Sequence, residues 1–364
     1  MRPYEIKKRM LDELNALLKE AIANRISPGA TVWLGRGNEI FAHEAFGTTA
    51  YDAEYSAPVT RETLYDIASL TKLFTATAFL IAARENNISL ETTLAHFLSE
   101  FGVLDKREIR LRNLMQHNSG IEIAIQDLIS VSPSEWIARI AQAPLHAPPT
   151  ARVFYSCTNY FLLARVFEIF ASQHLDEFVE ARVLQPLQML RTSWTPLQHF
   201  PKDKIAPTEM EGENAVRGIV HDEAARAWQE YSDHASCGNS GLFSTAGDLA
   251  KFAALWCDEG VANGQQILAR GDVELALENT VEEIQDGVRR GLSWQVNAKL
   301  YMSAVAPLNS IGHAGFTGPT LWLNRSTRHV CIVLNNRVYP SREGDNRFPV
   351  HRQIARWLMK NSSQ

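Results

Sequence analysis

The chain lacks any stretch that would carry it into or through a membrane. Residues 1–22 alternate Lys7, Lys8 and Arg9 with Asp12 and Glu13 and contain no continuous apolar run, so they do not read as a secretory signal. The longest apolar stretch, around residues 74–83, is too short and too interrupted to span a bilayer. Cysteine is scarce. Cys157, Cys237, Cys257 and Cys331 have none of the close spacing of a metal site, and a chain of 364 residues buries enough core to need no disulfide framework. A reducing, cytoplasmic setting is expected, with no metal and no cofactor. Positive charge is not in excess either: 36 Lys and Arg against 41 Asp and Glu give a net charge of −5, which argues against nucleic acid or an anionic membrane surface as the main partner. Internal repeats and low-complexity segments are also missing. What is present, 45% hydrophobic and 21% charged residues, is ordinary globular composition, with length for about two domains and a small-molecule substrate as the expected partner.

Along the chain, Ile6, Met10, Leu14, Leu17, Leu18 and Ala21 recur at helical spacing until Ser27-Pro28-Gly29 breaks the pattern. Residues 30–36 and 40–46, separated by Gly37-Asn38, predict a hairpin. The pattern is then helical for a long way. A short helix is predicted over 111–115, one opening at Ser132-Pro133-Ser134-Glu135 with a cap, a first-turn proline and a glutamate, and two more over 160–170 and 175–184. Residues 201–234 are polar and irregular and read as a long loop crossing back at the cleft. A helix over 248–256, strands over 320–324 and 329–335, and a last amphipathic helix through Val350, Ile354, Trp357 and Leu358 complete the chain. This order predicts an α+β fold: an antiparallel sheet from both chain ends (1–75 and 235–364), flanked by the terminal helices, with an inserted all-α region at 76–200 and the connecting loop at 201–234.

The chemistry centres on Tyr65-Asp66-Ile67-Ala68-Ser69-Leu70-Thr71-Lys72. The Ser69 hydroxyl and Lys72 amine are one helical turn apart at the mouth of an apolar helix, so the amine can reach the hydroxyl and take or hold its proton. Free N–H groups at that helix start favour developing negative charge. Ser-x-x-Lys is a short pattern, and two further stretches give it context. In Phe154-Tyr155-Ser156-Cys157-Thr158-Asn159, the Tyr155 phenol stands just before a helix expected to be capped by Thr158 or Asn159 and can accept or donate the proton a serine nucleophile needs; the plainer alternative is a tyrosine half-buried at a helix entrance. In His313-Ala314-Gly315-Phe316-Thr317-Gly318, small residues such as Gly315 let a substrate lie against the backbone, and the Phe316 N–H can join the Ser69 N–H in an oxyanion hole. His313 either orients the substrate or the Tyr155 hydroxyl, or is an ordinary edge histidine. His221, Asp222, Glu223 and His234 lack ligand spacing, His117 reads as a turn-stabilising residue, and Trp228 and Trp322 as packing residues.

Together these residues resemble the serine β-lactamase and penicillin-binding-protein superfamily, specifically its class C-like branch, which also holds D-aminopeptidases, carboxypeptidases and esterases. Residues 69–72 match its Ser-x-x-Lys motif, Tyr155-Ser156-Cys157 falls at Tyr-x-Asn, and His313-Ala314-Gly315 falls at Lys/His-x-Gly, with supporting likeness at 111–120, 155–163, 218–222 and 241–245. The resemblance implies acyl transfer: Ser69 attacks a carbonyl, Lys72 and Tyr155 handle its proton, the Ser69 and Phe316 N–H groups hold the oxyanion, and water releases the acyl-enzyme. Two departures bear on substrate. Cys157 stands at the asparagine position and has no amide to offer a substrate, and His313 stands where many β-lactamases have lysine. The expectation is therefore an esterase-like serine hydrolase with Cys157, His313 and Gly315 at the substrate. A D-amino-acid peptidase or carboxypeptidase, or a weak β-lactamase, is the alternative of the same class, and a non-catalytic sensor or scaffold the alternative of another.

Overall fold

The computed structural model describes residues 3–103, 105–278, 280–282, 288–343 and 347–362. Both chain ends feed one eight-stranded antiparallel sheet, in the order Glu39–Gly47, Gly29–Arg36, His329–Asn335, Thr320–Leu323, Ile311–Ala314, Gln295–Val296, Arg289–Arg290, Val281–Glu282. The central strand His329–Asn335 shows why it lies inside. Val330, Ile332 and Leu334 face one hydrophobic core while Cys331 and Val333 face a second, the period-two pattern of a strand covered on both sides.

That second core lies under the terminal helices. Leu14, Leu18 and Ala21 of Pro3–Ala23 pack with Val350, Ile354, Trp357 and Leu358 of Arg347–Asn361 against the outer sheet face. Ile6, the first position of the predicted N-terminal pattern, lies outside the described side chains.

The other face carries the helical region. Its axis is the helix Thr71–Glu85, buried on every side from Thr71 to Ala83 and packed against Cys157–Ala171. Phe74 stacks on Phe252 of Ala246–Cys257 with ring centroids 4.1 Å apart. Large apolar side chains so enclosed contribute about 1.5–3 kcal/mol each, and this packing keeps the start of the helix in place. The predicted start at Ser132 is observed, with the Glu135 carboxylate accepting the Ser132 N–H, but the first turn, Pro133–Glu135, is 3₁₀ before the helix Trp136–Gln142.

Two expectations are corrected. Residues 201–234 are not a plain loop: they hold a small hairpin, Met210–Glu211 with Asn214–Ala215, and the helix Glu223–Tyr231. Asp222 caps that helix by accepting the Ala225 N–H at 2.9 Å, and its Ala224, Ala225 and Trp228 are buried, so a cap and a narrow apolar stripe within polar sequence make the element. The sheet also extends beyond the strands read from the sequence. Its outer strands at 281–282, 289–290 and 295–296 are two residues long, too short for an alternation to register.

Candidate active site

Ser69 lies in a single 3₁₀ turn, Ala68–Leu70, that runs into Thr71–Glu85, rather than in the α-helix itself. Side chains three apart eclipse on such a turn. Lys72 Nζ accordingly lies 3.1 Å from Ser69 Oγ. The residue before the nucleophile position, Ala68, has φ 45°, a left-handed conformation that Cβ disfavours.

Lys72 is fully enclosed and spends its three N–H groups on Ser69 Oγ, on the Asn239 carbonyl at 2.9 Å and on Cys157 Sγ at 3.5 Å. Burial opposes its charge, yet negative charge on Cys157 or Tyr155 and the hydrogen bond with Tyr155 favour it, and the net direction is upward, so the ammonium is the form that pairs with an ionised neighbour. From the other side the Tyr155 hydroxyl donates to Ser69 Oγ at 2.7 Å. Burial raises the phenol above its ordinary value while Lys72 pulls the opposite way, and it rests neutral. Tyr155 precedes the helix Cys157–Ala171, whose cap position is Ser156 and not Thr158 or Asn159. The Ser156 N–H is taken instead by His117 Nδ1 at 3.2 Å, which fixes the approach of Tyr155.

The turn at 315–318 abuts the nucleophile turn. A Cβ on Gly315 would lie 2.6 Å from the Ile67 carbonyl, so only glycine lets the two segments touch. Thr317 Oγ1 donates to the Asp66 carbonyl at 2.7 Å. The Phe316 carbonyl accepts from Arg337 Nε at 2.8 Å and Arg347 Nη1 at 3.0 Å, while no acceptor among the described residues takes the Phe316 N–H.

A cleft of about 350 Å³ opens over Ser69. Ile123, Phe154 and Phe316 give it apolar walls, Cys157 and Tyr155 its floor, and Asp222, Glu223 and Arg342 its rim. The Arg342 guanidinium is held by Glu209 at 2.7 Å and by Glu223 at 2.5 Å.

His313 is not on that wall. Its imidazole is 2% exposed, gives Nδ1–H to the Ala314 carbonyl at 2.9 Å and packs 5.9 Å from the Tyr155 ring. Burial, with Arg290 and Lys72 nearby, lowers it to about 3, so it stays neutral, and its buried Nε2 has no hydrogen-bond partner among the described residues, the Tyr155 hydroxyl included. Gly315 likewise works as a spacer between backbones. Cys157 does line the cleft.

The sequence carries no sign of Arg290, a buried residue on a two-residue strand whose guanidinium lies 5.1 Å from the Tyr155 ring centroid. It also carries none of the Asn239 carbonyl, since a backbone acceptor has no motif. Among the described residues no group of His, Cys, Asp and Glu is arranged to hold a metal. His221 pairs with Glu209 at 2.8 Å, and His234 stacks on His174, away from His221. No helix among the described residues is long and apolar enough to cross a membrane.

The beta-lactamase family profile matches residues 14–356, nearly the whole of this chain. The chain belongs to the beta-lactamase family. It is a serine hydrolase of that family, with the mixed fold of β-lactamases and transpeptidases. An Escherichia coli protein, provisionally named a D-alanyl-D-alanine carboxypeptidase, is 27% identical over 350 residues, covering 85% of this chain and 78% of its own. A Salmonella agona protein of the same name is 26% identical over 353 residues, covering 85% and 79%. Among solved structures, EstCE1, described as a hydrolase with promiscuous acyltransferase activity, superposes with a TM-score of 0.76 at 18% identity over 96% of this chain and 99% of its own. The octameric penicillin-binding protein homologue from Pyrococcus abyssi gives 0.72 at 19% identity over 92% and 79%. At such identities the likeness is one of fold.

Proposed function

We propose that this serine hydrolase is an esterase acting on small, uncharged acyl substrates, with Ser69 as nucleophile, Tyr155 as the group that takes and returns its proton, and Lys72 as the ammonium that stabilises the ionised phenol. The observation that carries this reading is the pair of contacts at Ser69 Oγ, 2.7 Å from Tyr155 and 3.1 Å from Lys72, at the base of the cleft. When the pair loses one proton, the tyrosinate lies within transfer distance of the serine hydroxyl. The alkoxide attacks the carbonyl, the Ser69 and Phe316 N–H groups receive the oxyanion, the leaving alcohol takes the proton back, and water then repeats the sequence on the acyl-enzyme.

Substrate class follows from what the cleft offers. The His313 imidazole is neutral and enclosed, and Arg342 is engaged by two carboxylates, so among the described residues lining the cleft no unpaired cation anchors a substrate carboxylate. Apolar walls at Ile123, Phe154 and Phe316 suit a short acyl chain. The second reading, a D-amino-acid carboxypeptidase, is favoured by the names of the relatives, but its substrate ends in the carboxylate that this cleft leaves without a partner.

Hydrolysis of p-nitrophenyl butyrate, a D-alanyl-D-alanine peptide and a penicillin by the same preparation tests the proposal. It expects turnover of the ester at least about a hundredfold faster than of the other two, equivalent to roughly 2.7 kcal/mol of transition-state preference. Faster release of D-alanine than of p-nitrophenol would replace it by the carboxypeptidase reading.

A further inference from the structure

Asp66 ends the strand that leads into Ser69, and the chemistry assigned to Lys72 and Tyr155 makes no use of it. Its side chain is 3% exposed and both oxygens are engaged by backbone: Oδ1 accepts the Ala68 N–H at 2.8 Å and Oδ2 the His221 N–H at 2.8 Å. Its own carbonyl takes the Thr317 hydroxyl at 2.7 Å. One residue thus anchors three segments of the cleft: the turn that presents Ser69, the approach to Asp222 and Glu223 on the rim, and the turn that carries Phe316.

The chemistry of the anchor is specific. Two N–H donors need two acceptor oxygens, which only a carboxylate supplies. An amide or a protonated acid offers one acceptor and turns a donor toward the other N–H. The anchored residue also needs support, because Ala68 is held at φ 45°, where an L side chain is disfavoured.

We infer that Asp66 is a positioning residue of the Ser69 centre: its carboxylate holds the left-handed Ala68 turn against the His221 backbone, and so fixes the segment whose own carbonyl meets the Phe316 turn, so that the nucleophile and both oxyanion donors are aimed together. The inference rests on Ser69 being the nucleophile.

The surroundings make this anchor sensitive to acid. Burial moves the carboxyl up to about 6; the two backbone N–H bonds pull it down, Asp222 pushes it up, and Arg226, on the same helix approach as Asp222, pulls it down. His221, whose N–H it accepts, has its imidazole turned to Glu209 and its pKa lowered by burial. Lys72 and Tyr155 are both shifted upward and change charge only on the alkaline side. The folded value of Asp66 exceeds the unfolded one, so taking up a proton between about pH 6 and 4 favours the fold, as far as this group is concerned, while it releases the anchor. Activity is lost there without unfolding.

The test is the pH dependence of p-nitrophenyl butyrate hydrolysis, with kcat and KM separated, in wild type, Asp66→Asn and Asp66→Asn/Ala68→Gly, with Ser69→Ala as control. Wild type is expected to show an acid inflection near pH 6 while its near-ultraviolet circular dichroism is unchanged. Asp66→Asn should lose the inflection and at least about tenfold in kcat at neutral pH, with KM within about twofold. Glycine adopts the left-handed turn unaided, so the double variant should recover at least about threefold over Asp66→Asn. A folded Asp66→Asn that keeps wild-type kcat or the inflection overturns the inference, and so does a double variant with no recovery. If Asp66→Asn does not fold, the wild-type profile decides: an inflection near pH 6 with a native spectrum supports the role, and a profile without one overturns it. Activity in Ser69→Ala would instead remove the nucleophile assignment itself.

Discussion

The Tyr155 hydroxyl donates to Ser69 Oγ at 2.7 Å, so in the resting site the serine oxygen is the acceptor and its own proton has no base. Activation therefore requires the phenol to give up its proton first. Tyr155→Phe removes that route and little else, because the ring keeps its packing against His117, 4.5 Å away. The expected result is a fall in kcat of about 10²–10⁴ with an unfolding midpoint close to that of wild type. A loss of less than about threefold would move the proton-transfer role to Lys72.

The same relationship sets an alkaline trend. Lys72 and Tyr155 are both shifted upward, so the pair loses its first proton above neutrality, and the reactive tyrosinate–ammonium form grows as pH rises. The kcat/KM for an ester should climb steadily between about pH 7 and 9, after correction for spontaneous hydrolysis. A falling limb over that range would mean that the reactive form carries the extra proton. His313, lowered to about 3, should contribute no limb near neutrality.

Gly315 gives a geometric prediction. A Cβ there would stand 2.6 Å from the Ile67 carbonyl, so Gly315→Ala must part the two turns that carry the oxyanion donors. A displacement of this kind costs about a hundredfold in rate. Steady-state kinetics should show the loss in kcat rather than KM, and an unchanged kcat would detach the Phe316 turn from the chemistry.

Cys157 faces the cleft with a weak hydrogen-bonding group where an amide is found in related motifs. Cys157→Asn should raise the rate of acylation by a penicillin about fivefold, the equivalent of one net hydrogen bond of about 1 kcal/mol. Stopped-flow acylation rates check this. An unchanged rate would show that something other than the missing amide limits β-lactams.

Legibility in the sequence followed local chemistry. Ser69 and Lys72 were readable because a three-residue spacing puts them together whatever the rest of the chain does, and Tyr155 because it precedes a strongly apolar helix. The sheet was readable where strands are long and covered on both faces, as at His329–Asn335, and not where they run two residues, as at Arg289–Arg290. Arg290 was hidden for that reason. For His313 the motif gives its place on the strand but not its burial, which depends on Arg290 and Tyr155, both distant in sequence. The helix Glu223–Tyr231 escaped notice because its apolar stripe is narrow within polar sequence.

The most direct test of the account is intact-protein and peptide mass spectrometry after exposure to a fluorophosphonate, with Ser69→Ala in parallel. One adduct per chain is expected, located at Ser69 and missing from the variant. Labelling at another residue, or equal labelling of wild type and Ser69→Ala, would contradict it.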